Sequence, residues 1–138
     1  MTHERLVLDT HVWKKYVDGV GFAAKVVKRI DLARTNGSLF IAAMTVWEIA
    51  MLAAEGKIKL NGPALQWVTE AVAQSCAVVY PLEPAIAVDS AELPGFHGDP
   101  ADRMFVSTAR HLSAVLVTRD AKILAWAEAT KGVQVLEP

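Results

Sequence analysis

Four acidic residues stand where predicted secondary-structure elements begin or end. Asp9 and Asp120 each follow a short apolar run that predicts a strand, whereas Glu48 and Asp102 lie in the first turns of predicted helices. In an open parallel sheet, sites form in the crevice beyond the carboxyl ends of the strands, so these carboxylates are predicted to converge. Crowded carboxylates repel one another and lose hydration, and a bound divalent cation relieves both effects.

Each acid taken alone also has a purely structural explanation. Thr45-Val46-Trp47-Glu48 has the T-x-x-E pattern of a capping box, and Asp99-Pro100-Ala101-Asp102 reads as an Asp N-cap, a Pro at the first helical position and an acid in the first turn. Asp120 is a second N-cap candidate, and Asp9 could begin a loop. The metal-site interpretation therefore depends on the four acids being taken together.

The donor types predict which cation such a site would take. Cys76 is the single cysteine, so neither an internal disulfide nor a cysteine-based zinc cluster is available; we expect Cys76 to be a buried small hydrophobe. Oxygen-only ligands favour Mg²⁺ or Mn²⁺. Such an ion coordinates phosphate and activates water, which suits phosphodiester hydrolysis.

Further polar residues flank the acids: Thr10, His11, His97, Arg103 and Thr118. The threonine hydroxyls either orient a carboxylate or make ordinary turn hydrogen bonds. Arg103 is predicted to pair with a carboxylate, with phosphate contact as the alternative. The histidines are weaker candidates for ligands or proton shuttles, because imidazole prefers softer metals.

The formal net charge of −1 and the isoelectric point near 6.4 supply no general attraction to nucleic acid. Contact with an RNA backbone would need a local basic patch. The best candidate is the basic cluster of the first two predicted helices: Lys14, Lys15, Lys25, Lys28, Arg29 and Arg34. A solvated helix face explains that cluster equally well, and Arg119 likewise faces either RNA or solvent.

The elements that must position these residues alternate along the chain. Apolar runs predict strands at 6–8, 39–41, 77–80, 114–117 and 133–136. Helical patterns predict helices at about 10–18, 21–34, 45–55, 63–73, 84–92, 100–112 and 120–130. This alternation predicts an α/β fold with a mostly parallel sheet of four or five strands and helices on both faces.

Length and hydropathy set the boundaries of this prediction. The 138 residues fit one domain spanning 1–138, and 53% are hydrophobic, which is ample for a core. The amino terminus lacks the apolar region of a signal peptide, and no apolar run approaches the roughly 20 residues that span a bilayer. We therefore expect a cytoplasmic protein without a membrane partner.

Four segments in order resemble the motifs of PIN-domain toxins of the VapBC type: LVLDTHVW, TVWEIAMLAAEGKIKL, LPGFHGDPADRMFVSTAR and LVTRDAKIL. The resemblance implies a Mg²⁺- or Mn²⁺-dependent endoribonuclease that acts on RNA such as tRNA. It also implies a homodimer and a cognate antitoxin partner. It assigns the acidic site to Asp9, Glu48, Asp102 and Asp120, with Asp99 as an accompanying acid.

The chain departs from the family pattern at Ala101, where many relatives carry phenylalanine, and at Lys14-Lys15, where apolar residues are common. Two other enzyme or signalling classes fail on their motifs. A haloacid-dehalogenase-like phosphatase needs an acid where His11 stands, and a receiver-like domain needs paired acids after the first strand. A PIN nuclease of RNA processing without an antitoxin, and a non-catalytic PIN module that binds RNA or protein, stay open as alternatives.

Overall fold

The computed structural model describes residues 3–138 and contains one five-stranded sheet. All neighbouring strands are parallel, in the order β3-β2-β1-β4-β5. The strands are β1 (Leu6–Leu8), β2 (Leu39–Ala42), β3 (Val78–Tyr80), β4 (Val115–Val117) and β5 (Gln134–Leu136). The helices are α1 (Thr10–Val17), α2 (Ala24–Thr35), α3 (Ala43–Ala54), α4 (Ala64–Ser75), α5 (Pro84–Ala91), α6 (Pro100–His111) and α7 (Ala121–Thr130).

The central strand β1 is buried on both sides, as its run of three apolar residues predicts for a strand inside a parallel sheet. Because side chains alternate along a strand, Val7 packs into one hydrophobic core while Leu6 and Leu8 pack into the other. The first core is formed mainly by α6 and α7, and the second by α1 to α4. Helices therefore cover both faces of the sheet, as predicted.

The chain changes direction across the sheet between β1 and β4. From β1 it builds outward through β2 to β3, and then returns to the other side of β1 to form β4 and β5. The connections after β1 and β4 run to opposite sides of the sheet, and this divergence creates a crevice at the carboxyl ends of the two strands. Asp9 follows β1 and Asp120 lies shortly after β4, so both acids lie at this crevice.

The helices are 8 to 12 residues long. At about 1.5 Å per residue, even the longest falls well short of the roughly 30 Å of a bilayer core. In residues 3–138, no helix has both the length and the apolar character needed to cross a membrane.

The predicted elements agree with the structure in number, type and order, and their ends agree within three residues. One small shift matters, because α3 begins at Ala43 and not at Thr45. One burial prediction was wrong: Cys76 is exposed. It ends α4 in the left-handed conformation, with φ of 54°, and this turn directs the chain away from the helix before β3 begins.

Candidate active site

A cavity of about 350 Å³ opens at the carboxyl edge of the sheet. Its lining holds all five acids singled out in the sequence together with cationic, aromatic and aliphatic side chains. The lining residues are Asp9, His11, Val12, Lys15, Phe22, Glu48, Asp99, Asp102, Phe105, Arg119 and Asp120. The predicted convergence of Asp9, Glu48, Asp102 and Asp120 at one edge therefore agrees with their positions in the structure.

Asp9 is the most buried of these acids, with 7% of its surface exposed. One carboxylate oxygen, Oδ1, accepts a hydrogen bond of 2.8 Å from the backbone N–H of Val12 and so caps α1. The other, Oδ2, accepts a bond of 2.6 Å from the hydroxyl of Thr118. Burial raises the pKa of Asp9, and the hydrogen bonds from Thr118 and Val12 oppose that shift.

Thr118 connects Asp9 to Asp120. Its buried hydroxyl donates to Asp9 and accepts a bond of 3.0 Å from the backbone N–H of Asp120. Asp120 in turn caps α7, because its Oδ1 accepts from the N–H of Ile123 at 2.9 Å. Thr118 therefore has both roles that the sequence left open: its hydroxyl orients a carboxylate and it makes a turn hydrogen bond.

Asp99 and Asp102 lie at the start of α6. Asp99 is the N-cap, with its Oδ1 accepting from the backbone N–H of Asp102 at 2.9 Å. Burial first, and then the charges of Asp120, Asp99 and Glu48, together raise the pKa of the Asp102 carboxyl to about 7. Several carboxylates therefore face one space, and their charges add to the effect of burial.

Glu48 has no capping role, and the predicted capping box is wrong. Since α3 begins at Ala43, its N-cap is Ala42, which offers no side-chain acceptor, and Glu48 lies beyond the first turn. Thr45 is instead fully buried, and its hydroxyl forms a bond of 3.3 Å with the hydroxyl of Thr10. Thr10 thus braces α1 against α3 and does not orient a carboxylate.

The role predicted for Arg103 was also wrong. Its guanidinium donates to three backbone carbonyls: Gly98 at 3.3 Å, Ser90 at 3.1 Å and Phe96 at 2.7 Å. It also stacks on the ring of Phe96, 5.6 Å from the ring centre. Arg103 therefore organises the connection between α5 and α6, and it pairs with no carboxylate of residues 3–138.

The predicted basic cluster is divided by the structure. Lys15 lines the cavity, whereas Lys14 forms an ion pair with Asp18 and Arg29 with Glu4. Lys25 and Lys28 are exposed on α2 and Arg34 donates to the carbonyl of Gln74, and none of these three lines the cavity. Lys15 is thus the one member of the predicted cluster at the acidic site.

Three further lining residues escaped the sequence analysis: Val12, Phe22 and Phe105. Val12 and Phe105 carry only the ordinary apolar pattern of their helices. Phe22 was included in the helix predicted at 21–34, but it lies in the connection before α2. Of the two histidines considered, His11 lines the cavity, whereas His97 is exposed and does not.

The donor set suits a hard cation, because carboxylate oxygens dominate the polar lining. Burial and the neighbouring acids both raise the pKa of Asp102, and a bound cation would oppose that shift. Within residues 3–138, no three His, Cys, Asp or Glu side chains already stand close enough to hold an ion between them. The residue types of the lining therefore fit a divalent cation.

A five-stranded parallel sheet with an acidic cavity at its switch point is the arrangement of the PIN-domain class. The family model described as PIN domain matches residues 6–129, which covers every acid of the cavity. This chain belongs to the PIN-domain family.

Individual relatives agree with this assignment. Ribonuclease VapC22 from Mycobacterium tuberculosis is 32% identical over 123 residues, covering 86% of this chain and 88% of that protein. Among solved structures, VapBC2 from Rickettsia felis bound to a DNA fragment from its promoter has a TM-score of 0.69 at 14% identity, covering 95% of this chain and 96% of that one. DNA-bound VapBC from Salmonella typhimurium has a TM-score of 0.66 at 21% identity, covering 96% and 97%. At these identities, the two structural likenesses show the fold.

Proposed function

We propose that this protein is a divalent-metal-dependent endoribonuclease and the toxin of a bacterial toxin–antitoxin pair. The observation that carries the proposal is the convergence of five carboxylates on one cavity of about 350 Å³. A module that only binds RNA gains nothing from concentrating negative charge where phosphates approach. The similarity to a protein named as a ribonuclease supports the same activity.

Asp9, Glu48, Asp102 and Asp120 are the proposed ligands of Mg²⁺ or Mn²⁺, with Asp99 as an accessory acid. When bound, such an ion supplies charge compensation for a phosphate and acidifies a water molecule. The buried carboxylate of Asp9 is held from both sides, by Val12 and by Thr118, so that its position is fixed before substrate arrives.

The residues themselves prepare the site for hydrolysis of a phosphodiester bond. Glu48 serves no helix end, so its carboxylate is available as a ligand for the ion that would bind here. Phe105 and Val12 provide apolar walls that limit access of bulk water, which strengthens electrostatic interactions within the cavity.

The proposal includes a homodimer and an antitoxin as protein partners. The two solved structures that share this fold support an antitoxin partner, since both are VapBC assemblies bound to DNA. A gene for a small DNA-binding protein beside this one is the expected source of the antitoxin, and co-expression of the two proteins should suppress the ribonuclease.

RNA cleavage by the purified protein tests the catalytic proposal. Cleavage should need Mg²⁺ or Mn²⁺, cease with EDTA, and fall at least about a hundredfold in Asp9→Asn and in Glu48→Gln, because each removes a charge from the site. Asparagine is as good an N-cap as aspartate, so Asp9→Asn should leave α1 intact.

Glu128→Gln is the matched control for Glu48→Gln, since Glu128 is exposed on α7 and lies outside the cavity. It should cleave like the wild type. Full activity in Asp9→Asn or in Glu48→Gln would contradict the site assignment. A wild-type protein that cleaves RNA with neither Mg²⁺ nor Mn²⁺ would contradict the proposed ribonuclease activity.

A further inference from the structure

Three residues on the rim of the cavity contrast with its acids: Lys15 on α1, Phe22 in the α1–α2 connection and Arg119 directly before Asp120. We call this set the cationic rim. A cation beside acids commonly pairs with one of them, yet neither Lys15 nor Arg119 forms an ion pair with any Asp or Glu side chain of residues 3–138. Two positive charges are thus available at the mouth of an acidic cavity.

Arg119 is held in place by contacts that leave its terminal nitrogens available. Its Nε donates to the main-chain oxygen of Pro138 at 3.0 Å. Its guanidinium carbon lies 5.5 Å from the ring centre of Phe22, in a cation–π arrangement. Neither Nη1 nor Nη2 donates a hydrogen bond to a residue in the range 3–138. The guanidinium is therefore oriented, and the two-pronged edge that matches a phosphate is free.

Lys15 forms no ion pair with a carboxylate side chain, whereas its neighbour Lys14 does. The ammonium group of Lys14 is engaged by Asp18 and lies 5.4 Å from the ring centre of Trp67. Lys15 extends instead to the cavity that contains the acids. The chain thus places a free lysine at the site itself, at a position where the motif resemblance indicates that apolar residues are common.

We propose that Lys15 and Arg119 bind the RNA phosphates that flank the bond to be cut, and that Phe22 is a positioning residue that acts by holding Arg119. This inference rests on the proposed ribonuclease function. It gives the protein a local phosphate-binding element that its net charge of −1 does not supply. The acids act on the phosphate in the cavity while the cationic rim holds the strand on either side.

Steady-state cleavage of one RNA by the metal-loaded protein tests this inference. Lys15→Gln and Arg119→Gln should each raise KM by about tenfold or more with little change in kcat, since a charge-assisted contact to the bound strand is lost. In RNA binding to the cleavage-deficient Asp9→Asn protein, each change should reduce the slope of log Kd against log salt by about 0.7. Lys57→Gln is the control, because Lys57 is exposed and lies outside the cavity.

A double-mutant cycle tests the positioning role of Phe22. Phe22→Leu should raise KM in the wild type and have no further effect in Arg119→Gln, while Phe22→Tyr should keep KM near wild type because it preserves the ring. Additive effects of Phe22→Leu and Arg119→Gln would mean that Phe22 contacts RNA directly, which overturns its positioning role.

Cleavage by the wild-type protein in the same assay distinguishes failure of the cationic rim from failure of the proposed ribonuclease function. Efficient cleavage by the wild type with unchanged KM and salt dependence in Lys15→Gln and Arg119→Gln overturns the cationic rim alone. Absence of cleavage by the wild type overturns the proposed ribonuclease and this inference together. Circular dichroism and thermal unfolding of each variant exclude loss of fold as the cause of a raised KM.

Discussion

At the scale of single residues, helix capping and the acidic site use the same carboxylates. Asp9, Asp99 and Asp120 each accept a backbone N–H through Oδ1, at 2.8 to 2.9 Å. Capping through Oδ1 fixes the side-chain rotamer without using the second oxygen, which in Asp9 accepts a hydrogen bond from Thr118. The structural and the functional explanations of these acids are therefore complementary, because the cap is what points the carboxylate into the cavity.

Thr118 offers a test of how strongly that positioning matters. Thr118→Val keeps the shape of the side chain but removes the hydroxyl that donates to Asp9 and accepts from Asp120. We expect a loss of about 1–3 kcal/mol in the free energy of unfolding, because buried polar groups lose their partner. Cleavage should fall about ten- to a hundredfold, with a higher Mg²⁺ concentration needed for half-maximal rate.

Thr118→Ser retains the hydroxyl and is the control for that experiment. It should keep most of the stability, measured by urea unfolding, and most of the activity. A Thr118→Val protein with wild-type Mg²⁺ dependence would show that the hydroxyl does not position Asp9 for the metal.

At the scale of elements, the connection between α5 and α6 places two of the acids. Residues 92–99 have no regular structure, yet their path is set by Arg103, which donates to the carbonyl of Ser90 near the end of α5 and to those of Phe96 and Gly98 within the segment. Gly98 packs so closely that a Cβ there would lie 2.2 Å from an atom of the Phe96 ring. This segment delivers Asp99 as the cap of α6, and with it Asp102.

Arg103→Met should therefore affect the site through the backbone. We expect a loss of about 1–3 kcal/mol in the free energy of unfolding, since three carbonyls lose a charged donor. Arg29→Met is the matched control, because its partner Glu4 is exposed and such pairs contribute less than about 1 kcal/mol. Equal stability of the two variants, measured by urea unfolding, would contradict the organising role of Arg103.

The elements also show where prediction from the sequence succeeds and where it fails. Apolar periodicity located all five strands and seven helices, because most elements bury a face that the pattern reveals; the edge strand β3 was located by its apolar run although Val78 and Val79 are exposed. The pattern did not locate the start of α3, since Ala43 and Met44 extend the helix without any capping signal. That shift of two residues changed the interpretation of both Thr45 and Glu48.

At the scale of the whole molecule, the topology explains why the convergence of acids was predictable and their partners were not. The parallel sheet sends the ends of β1 and β4 to one edge, so Asp9 and Asp120 meet although they are separated by more than a hundred residues. The hydrogen bonds from Arg103 to backbone carbonyls and the cation–π contact between Arg119 and Phe22 depend on the paths of loops, and the periodicity of the sequence does not encode those paths. That the domain extends over 1–138 stays a prediction, since the family match spans 6–129.

The same topology makes the folded protein sensitive to pH when no metal is present. The pKa of Asp102 is raised to about 7 by burial and by the neighbouring acids, whereas in the unfolded chain it is near its ordinary value of about 3.9. Between these two values the folded state binds more protons than the unfolded state. Stability in EDTA is therefore expected to fall as the pH rises from about 4 to about 7, and to be regained on acidification.

Thermal unfolding of the wild type and of Asp102→Asn tests this expectation, because other groups that titrate in the same range affect both proteins alike. In EDTA at pH 8 the Asn variant should have the higher Tm, since it lacks the ionised carboxylate, and the difference should shrink toward pH 5. Added Mg²⁺ at pH 8 should reverse the order, because an ion that binds only the folded wild-type site stabilises it by mass action. An Asn variant that is less stable than the wild type in EDTA at pH 8 would show that Asp102 is a structural acid, and that repulsion within the cavity does not govern the stability of the metal-free fold.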